Sequence, residues 1–194
     1  MEAVLIDIET NGINEKLSGH RIDMLSAAYA IIDTETLVVK ESDILYFWQD
    51  DFIIDQAAYE VNKLSKERLE PHKDKFLRNL AKLYKVLFKA TTIGYNHAHF
   101  DIPMIKQIMV RYGFGELTVY EEEMIDVMRV TMPIYHKRLK LTKLCENLGV
   151  SDGAISMFQS IYFDTDSGFH EADYDIVATF LCYVALANKG LIRR

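Results

Sequence analysis

Two cysteines in 194 residues, Cys145 and Cys182, are too few for a disulfide framework, and both fall within helical patterns. They read as packed free thiols of a reducing, cytoplasmic interior. Long apolar runs are missing too: none approaches the roughly 20 residues that cross a bilayer, so no membrane partner is expected. The first apolar segment starts almost at Met1, so no cleavable leader is expected. A basic surplus is also lacking. Net charge is −7, which ordinarily argues against a nucleic-acid partner. Acids gathered at a metal site would lower the total in the same way, so local charge decides more than the sum. Repeats, linkers and low-complexity tracts do not occur. With 49% hydrophobic residues, residues 1–194 are expected to form one domain around a sizeable core.

What is present is organised around Val4-Leu5-Ile6-Asp7-Ile8-Glu9-Thr10-Asn11-Gly12. The apolar run closed by a Thr-Asn-Gly turn reads as a short buried strand. Residues i and i+2 of a strand share a face, so Asp7 and Glu9 converge at its end. Two like charges held side by side near a core are costly without compensation. A divalent cation compensates them, and oxygen ligands suit magnesium or manganese. A frayed strand end with both acids in water is the plainer alternative for this stretch alone.

Met24–Ile32 and Leu37–Trp48 read as two more strands at hairpin spacing, giving an antiparallel three-stranded start. Helices are expected over Gln56–Leu64, Phe76–Ala90, Ala98–Tyr112, Leu139–Leu148 (closed by Gly149) and Glu171–Asn188, with Pro103 near the first turn of its helix. Thr91–Tyr95 and Met124–Val127 are short strands. Residues 13–21 and 150–169 read as irregular. Hairpin strands followed by strands alternating with helices give an α/β domain with a mixed sheet.

Two further acidic motifs lie downstream. In Tyr95-Asn96-His97-Ala98-His99-Phe100-Asp101 a strand ends and a helix begins, placing side chains at the sheet's carboxyl edge. Asp101 taken alone could equally be an acid that complements the helix dipole. In His170-Glu171-Ala172-Asp173-Tyr174-Asp175, His170 and Asp175 would stand roughly 140° apart on one helix. They share a site only if His170 lies on the incoming loop, which Gly168 allows. Glu171 and Asp173 read as a solvated acidic first turn.

Asp7-x-Glu9-Thr10-x-Gly12, Tyr95-Asn96-x-x-His99-Phe100-Asp101 and His170-x-Ala172-x-x-Asp175 occur in order with sensible gaps. In this the chain resembles the DEDD superfamily of 3′–5′ exonucleases, the DnaQ-like, RNase H-like group that includes polymerase proofreading subunits. His170, five residues before the last aspartate, resembles the DEDDh branch. Ile125-Asp126-Val127 and Leu141-Thr142-Lys143-Leu144 look like the family's later strand and helix. The resemblance implies an RNase H-like mixed five-stranded sheet, three antiparallel strands then parallel ones, flanked by helices. It implies that Asp7, Glu9, Asp101 and Asp175 hold two Mg2+ or Mn2+ ions and that His170 is the general base. Nucleoside 5′-monophosphates would leave from a 3′ end. Thr10 and Gly12 match positions that line the terminal-nucleotide pocket, and Asn96 matches a substrate- or site-positioning residue.

Thr10 at its position resembles the proofreading type, which favours a single-stranded DNA 3′ end over RNA. An exoribonuclease acting on RNA 3′ ends, and a non-catalytic nucleic-acid-binding or scaffold module on the same fold, stay open as alternatives. So does a polymerase or other replication or repair protein as partner. His97 and His99 suggest a zinc pair only superficially, because no cysteine lies near them. Asp126 reads as a helix cap with an accessory role open to it, and Tyr95, Phe100 and Tyr174 as packing residues. His136-Lys137-Arg138-Leu139-Lys140 with Lys143 is a dense basic patch: a solvated helix start, or contacts to substrate phosphates.

Overall fold

The computed structural model describes residues 1–13, 15–119, 121–165 and 171–192. Strands β1 (Glu2–Thr10), β2 (Met24–Asp33) and β3 (Val38–Tyr46) form an antiparallel meander. Strands β4 (Thr92–Gly94) and β5 (Met124–Asp126) continue the sheet in parallel with β1, in the order β3-β2-β1-β4-β5. Among the described residues the α-helices are α1 (Glu15–Ser18), α2 (Gln56–Asn62), α3 (Lys66–Leu69), α4 (Phe76–Leu87), α5 (Asp101–Arg111), α6 (Val127–Tyr135), α7 (Leu141–Leu148), α8 (Asp152–Tyr162) and α9 (Ala172–Asn188). This is the α/β class and mixed sheet that the sequence led us to expect. None of the described helices is long and apolar enough to cross a membrane.

The alternation of β1 decides which layer each of its residues serves. Val4, Ile6 and Ile8 pack with Leu80, Leu83 and Leu87 of α4 and Ile102, Ile105 and Ile108 of α5. Ala3 and Leu5 point the other way, into the cluster built on Val177, Phe180, Tyr183 and Leu186 of α9. Asp7 and Glu9 continue the Ala3–Leu5 row, so chain parity alone aims both acids toward the α9 layer. Helix α9 lies between β1 and β2 beneath it and α6, α7 and α8 around it. Its apolar residues therefore run round most of its circumference, as burial on several sides requires. Cys145 of α7 and Cys182 of α9 meet in that layer as buried free thiols, Sγ to Sγ 3.6 Å.

The irregular segment expected at 150–169 is corrected over most of its length: Asp152–Tyr162 is the helix α8. Gly153 there reads as a breaker, yet it occupies the first helical turn, where its cost of about 1 kcal/mol is offset by packing and a cap. The hydroxyl of Ser151 accepts the N–H of Ala154 at 3.2 Å, while Ile155 and Gln159 are buried. The 13–21 loop likewise contains the single turn α1. Two expected helix starts move inward. Asn96 is left-handed at φ 63°, which holds the chain in a turn until Asp101. His136 is left-handed at φ 54° and Lys140 is extended, so residues 136–140 form a loop and α7 begins at Leu141.

Candidate active site

Three of the expected carboxylates converge. Asp7 and Glu9 from β1 and Asp175 from the first turn of α9 each offer an oxygen within 4.8 Å of the others. The strand supplies two acids by its period, and the helix supplies the third because it crosses the same sheet face. A register shift between Glu9 and Thr10 bulges β1 against β2 at this point, as strands often do beside active sites.

Asp101 arrives from the opposite layer. The N–H of Val4 bonds Thr91 O at 2.8 Å, on the β4 side of β1. Alternation turns the N–H of Ile8 to that same side, but β4 ends at Gly94, too early to meet it. Asp101 Oδ1 accepts that N–H at 2.9 Å instead, which seats its carboxylate between strand end and helix start.

Like charge dominates the electrostatics. Burial raises Asp7 well above the usual carboxylate range, with Asp101, Asp175 and Glu9 adding to the effect. Glu9 is pushed up to about 9 by burial and then by Asp175, against a smaller lowering from Asn62. Asp101 is pushed up to about 7, chiefly by burial, and the Ile8 N–H holds it down in part. Hard oxygen donors gathered where their own ionisation is suppressed suit Mg2+ or Mn2+. The residues present fit the cation that the motifs imply.

This arrangement predicts a pH dependence. Unfolded carboxylates titrate near 4, so between about 4 and 9 these three acids, outweighing the opposite effect of the single buried His97, bind more protons in the folded, metal-free chain than in the unfolded one. Its stability is therefore greatest at the acid end of that window and is lost as pH rises through the folded values. The thermal midpoint of chelator-treated protein is expected to fall from about pH 5 to pH 9. Added Mg2+ or Mn2+ should flatten the decline, and a midpoint that climbs with pH without metal would contradict the assignment.

Beside Glu9 opens a cavity of about 500 Å³ lined by Ile8, Thr10, Gly12, Leu17, Val61 and Phe100 among others. Thr10 donates its hydroxyl to Gly12 O at 2.7 Å and shapes the turn that forms one wall. Gly12 has no room for a side chain: a Cβ would lie 2.6 Å from both Asp55 Oδ2 and Ser18 Oγ. Phe100, read from the sequence as packing, thus also faces the cavity. Asn96 lies at the turn before α5, where its carbonyl accepts the N–H groups of His99 and Phe100 at 3.1 and 3.3 Å.

Asp126 does more than cap a helix. Its carboxylate accepts Met128 and Arg129 at the start of α6, and also Asn96 (3.0 Å) and Ala98 (3.4 Å) of the turn that delivers Asp101. His97 is fully buried against Thr92 Oγ1 at 3.0 Å, and burial lowers its pKa to about 4. His99 is exposed. The two histidines occupy different environments and form no metal pair.

The solvated first turn expected for Glu171 and Asp173 is also corrected. Asp173 is 3% exposed and accepts hydrogen bonds from Gln159 Nε2 (2.8 Å) and the Thr165 hydroxyl. Glu171 pairs with Arg68 at 2.7 Å, and Tyr174 packs in the α9 layer. These long-range partners draw the acids inward, which spacing along one helix cannot reveal. His170 lies outside the described residues, and so does Gly168.

A search by sequence among curated proteins returns no match. Among solved structures, the fold is similar to exonuclease I in a structure interpreted for its processivity, at 17% identity and TM-score 0.75 over 98% of this chain and 42% of that one. Exonuclease I of E. coli with a dT13 oligonucleotide gives 18% identity and TM-score 0.73 over 96% and 41%. The zinc-bound form of the E. coli exonuclease I complex with single-stranded DNA gives 17% and 0.67 over 97% and 40%. This chain thus spans about two fifths of the length of those proteins, and at such identities the likeness is one of fold. Residues 4–183, nearly the whole sequence, match the RNase T exonuclease family, and the chain belongs to that family.

Proposed function

We propose that residues 1–194 act as one exonuclease domain that hydrolyses single-stranded DNA from the 3′ end and releases nucleoside 5′-monophosphates. The observation that carries this reading is the meeting of Asp7, Glu9 and Asp175 beside an open cavity, with Asp101 fixed on Ile8 behind them. Asp7, Glu9, Asp101 and Asp175 would hold two divalent cations, Mg2+ or Mn2+. Those ions, when bound, supply positive charge that acidifies the attacking water and offsets charge on the departing 3′ oxygen.

The chain's own residues do the rest. The cavity beside Glu9 takes the terminal nucleoside, whose base lies along the apolar wall of Ile8, Leu17, Val61 and Phe100. Thr10 and Gly12 fix the turn that bounds it. Asn96, through its turn, keeps Asp101 in place. His170 accepts the proton of the attacking water, a task suited to an imidazole whose ordinary pKa lies near neutrality. The site would serve in the cytoplasm, on strands left by a polymerase or another replication or repair protein. DNA is preferred as substrate because Thr10 matches the proofreading type and because a fold relative is seen with a DNA oligonucleotide.

Digestion of 5′-labelled single-stranded DNA and RNA of one sequence, with Mg2+ or Mn2+, tests this. The expected result is a metal-dependent ladder shortening from the 3′ end, faster on DNA. A faster RNA ladder would transfer the assignment to an exoribonuclease. Binding of either strand without cleavage would leave a non-catalytic module.

A further inference from the structure

The basic run at residues 136–140 is not used by the site described so far, yet the fold holds it beside that site. Leu139 is buried in the α9 layer with Cys145, Tyr174 and Val177. Its carbonyl accepts the Tyr95 hydroxyl at 2.6 Å, and Tyr95 directly follows the last residue of β4. The loop is thus fastened at two sides, to the carboxyl end of β4 and to the helix that carries Asp175. Lys137, Arg138 and Lys140 flank the anchor and are all exposed.

Other cations, Lys106 and Arg129 among them, also lack an ion pair among the described residues; these three differ in standing together round one anchored residue. Lys143, grouped with them by sequence, is bonded to Glu146 at 2.5 Å. Lys40, Lys73, Lys82, Arg21, Arg68 and Arg111 are likewise engaged in ion pairs. Among the described residues no acid lies within ion-pair range of Lys137, Arg138 or Lys140. Three cations gathered round an anchored residue and unpaired among the described residues, on a chain of net charge −7 and beside its converging acids, suit an external anion. A polyanion whose end reaches the carboxylates approaches a chain of net negative charge, and flanking cations offset that repulsion.

We propose that Lys137, Arg138 and Lys140 form a track that binds phosphates of the strand on the 5′ side of the scissile bond. This rests on the exonuclease reading above. The track reads charge and not sequence, and it acts on strands long enough to reach it.

The test compares native protein with a Lys137→Ala/Arg138→Ala/Lys140→Ala variant, whose exposed side chains leave the core intact. Binding of fluorescein-labelled oligodeoxythymidylate is followed in an Asp7→Asn background across salt concentration. Loss of three phosphate contacts should reduce the log–log salt slope by about 2 and weaken binding about tenfold at low salt. In the Asp7-containing proteins, KM for the oligonucleotide should rise while kcat stays. Hydrolysis of the p-nitrophenyl ester of thymidine 5′-monophosphate, too short to reach the loop, should not change. Lys137→Arg/Lys140→Arg should behave as native. An unchanged salt slope and KM in the triple variant would overturn the track. So would loss of ester hydrolysis in parallel with loss of binding, since that marks a structural role. Failure of native protein to cleave either substrate would instead overturn the exonuclease reading, and the salt slopes would still decide whether the loop binds the strand.

Discussion

Asp7→Asn is expected to lower kcat about a thousandfold or more, or about 4 kcal/mol of barrier, while the fold is kept. The substitution conserves shape but removes one charged oxygen ligand from the meeting point of β1 and α9. Its second effect runs the opposite way. Burial, and then the charges of Asp101, Asp175 and Glu9, raise the pKa of Asp7 well above the usual carboxylate range, so near neutral pH and without metal it opposes folding. The metal-free variant should therefore melt above the native protein, by about 2–4 °C for each kcal/mol relieved in a chain of this size. Saturating Mg2+ or Mn2+ should reverse the order, because the native protein gains from a cation that the variant binds weakly. Thermal melts of both proteins with chelator and with metal check the crossing. Native-like turnover in Asp7→Asn, or a variant less stable without metal, would count against the assignment.

Asp126→Ala is expected to destabilise the protein by about 3–5 kcal/mol, a large part of the roughly 5–15 kcal/mol that holds a domain together. The residue is buried and accepts four backbone N–H groups, two in the 96–98 turn and two at the start of α6. Alanine leaves these donors unpaired, at about 1–3 kcal/mol for each that water cannot reach. Asp126→Asn keeps an acceptor for Asn96, Met128 and Arg129 and loses the longer bond to Ala98, so about 1 kcal/mol is expected. Denaturant unfolding measures both. Activity of the alanine variant, assayed well below its midpoint, should fall mainly in kcat, because a loosened turn misplaces Asp101. Equal stability of native and alanine variants would remove Asp126 from this role.

The parts of the fold legible in the sequence are those set by local period. On β1 the alternation of Val4, Ile6 and Ile8 with Leu5, Asp7 and Glu9 already assigns the acids to one face, and the structure covers that face with α9. The hairpin of β2 and β3, the apolar length of α9 and the left-handed Gly149 after α7 are equally local signals. What the sequence concealed depends on contacts between distant residues. Asp101 meets Ile8 across 93 positions, and Arg68 meets Glu171 across 103. Asp173 is buried where Gln159 and Thr165 come to it. Helix α8 was hidden by Gly153, whose conformational cost is a local quantity, whereas the packing of Ile155 against α9 is not. The cavity beside Glu9 has the same origin, since α1, α2, β1 and Phe100 each supply part of its wall.

Whether the four carboxylates hold the metal beside a terminal nucleoside is decided by anomalous diffraction from crystals grown with Mn2+ and a non-hydrolysable 3′-terminal dinucleotide. The expected result is manganese peaks in contact with carboxylate oxygens of Asp7, Glu9, Asp101 and Asp175, with the terminal nucleoside in the adjoining cavity. Manganese bound elsewhere, or an empty cluster in protein that still degrades strands at the same Mn2+ concentration, would contradict it.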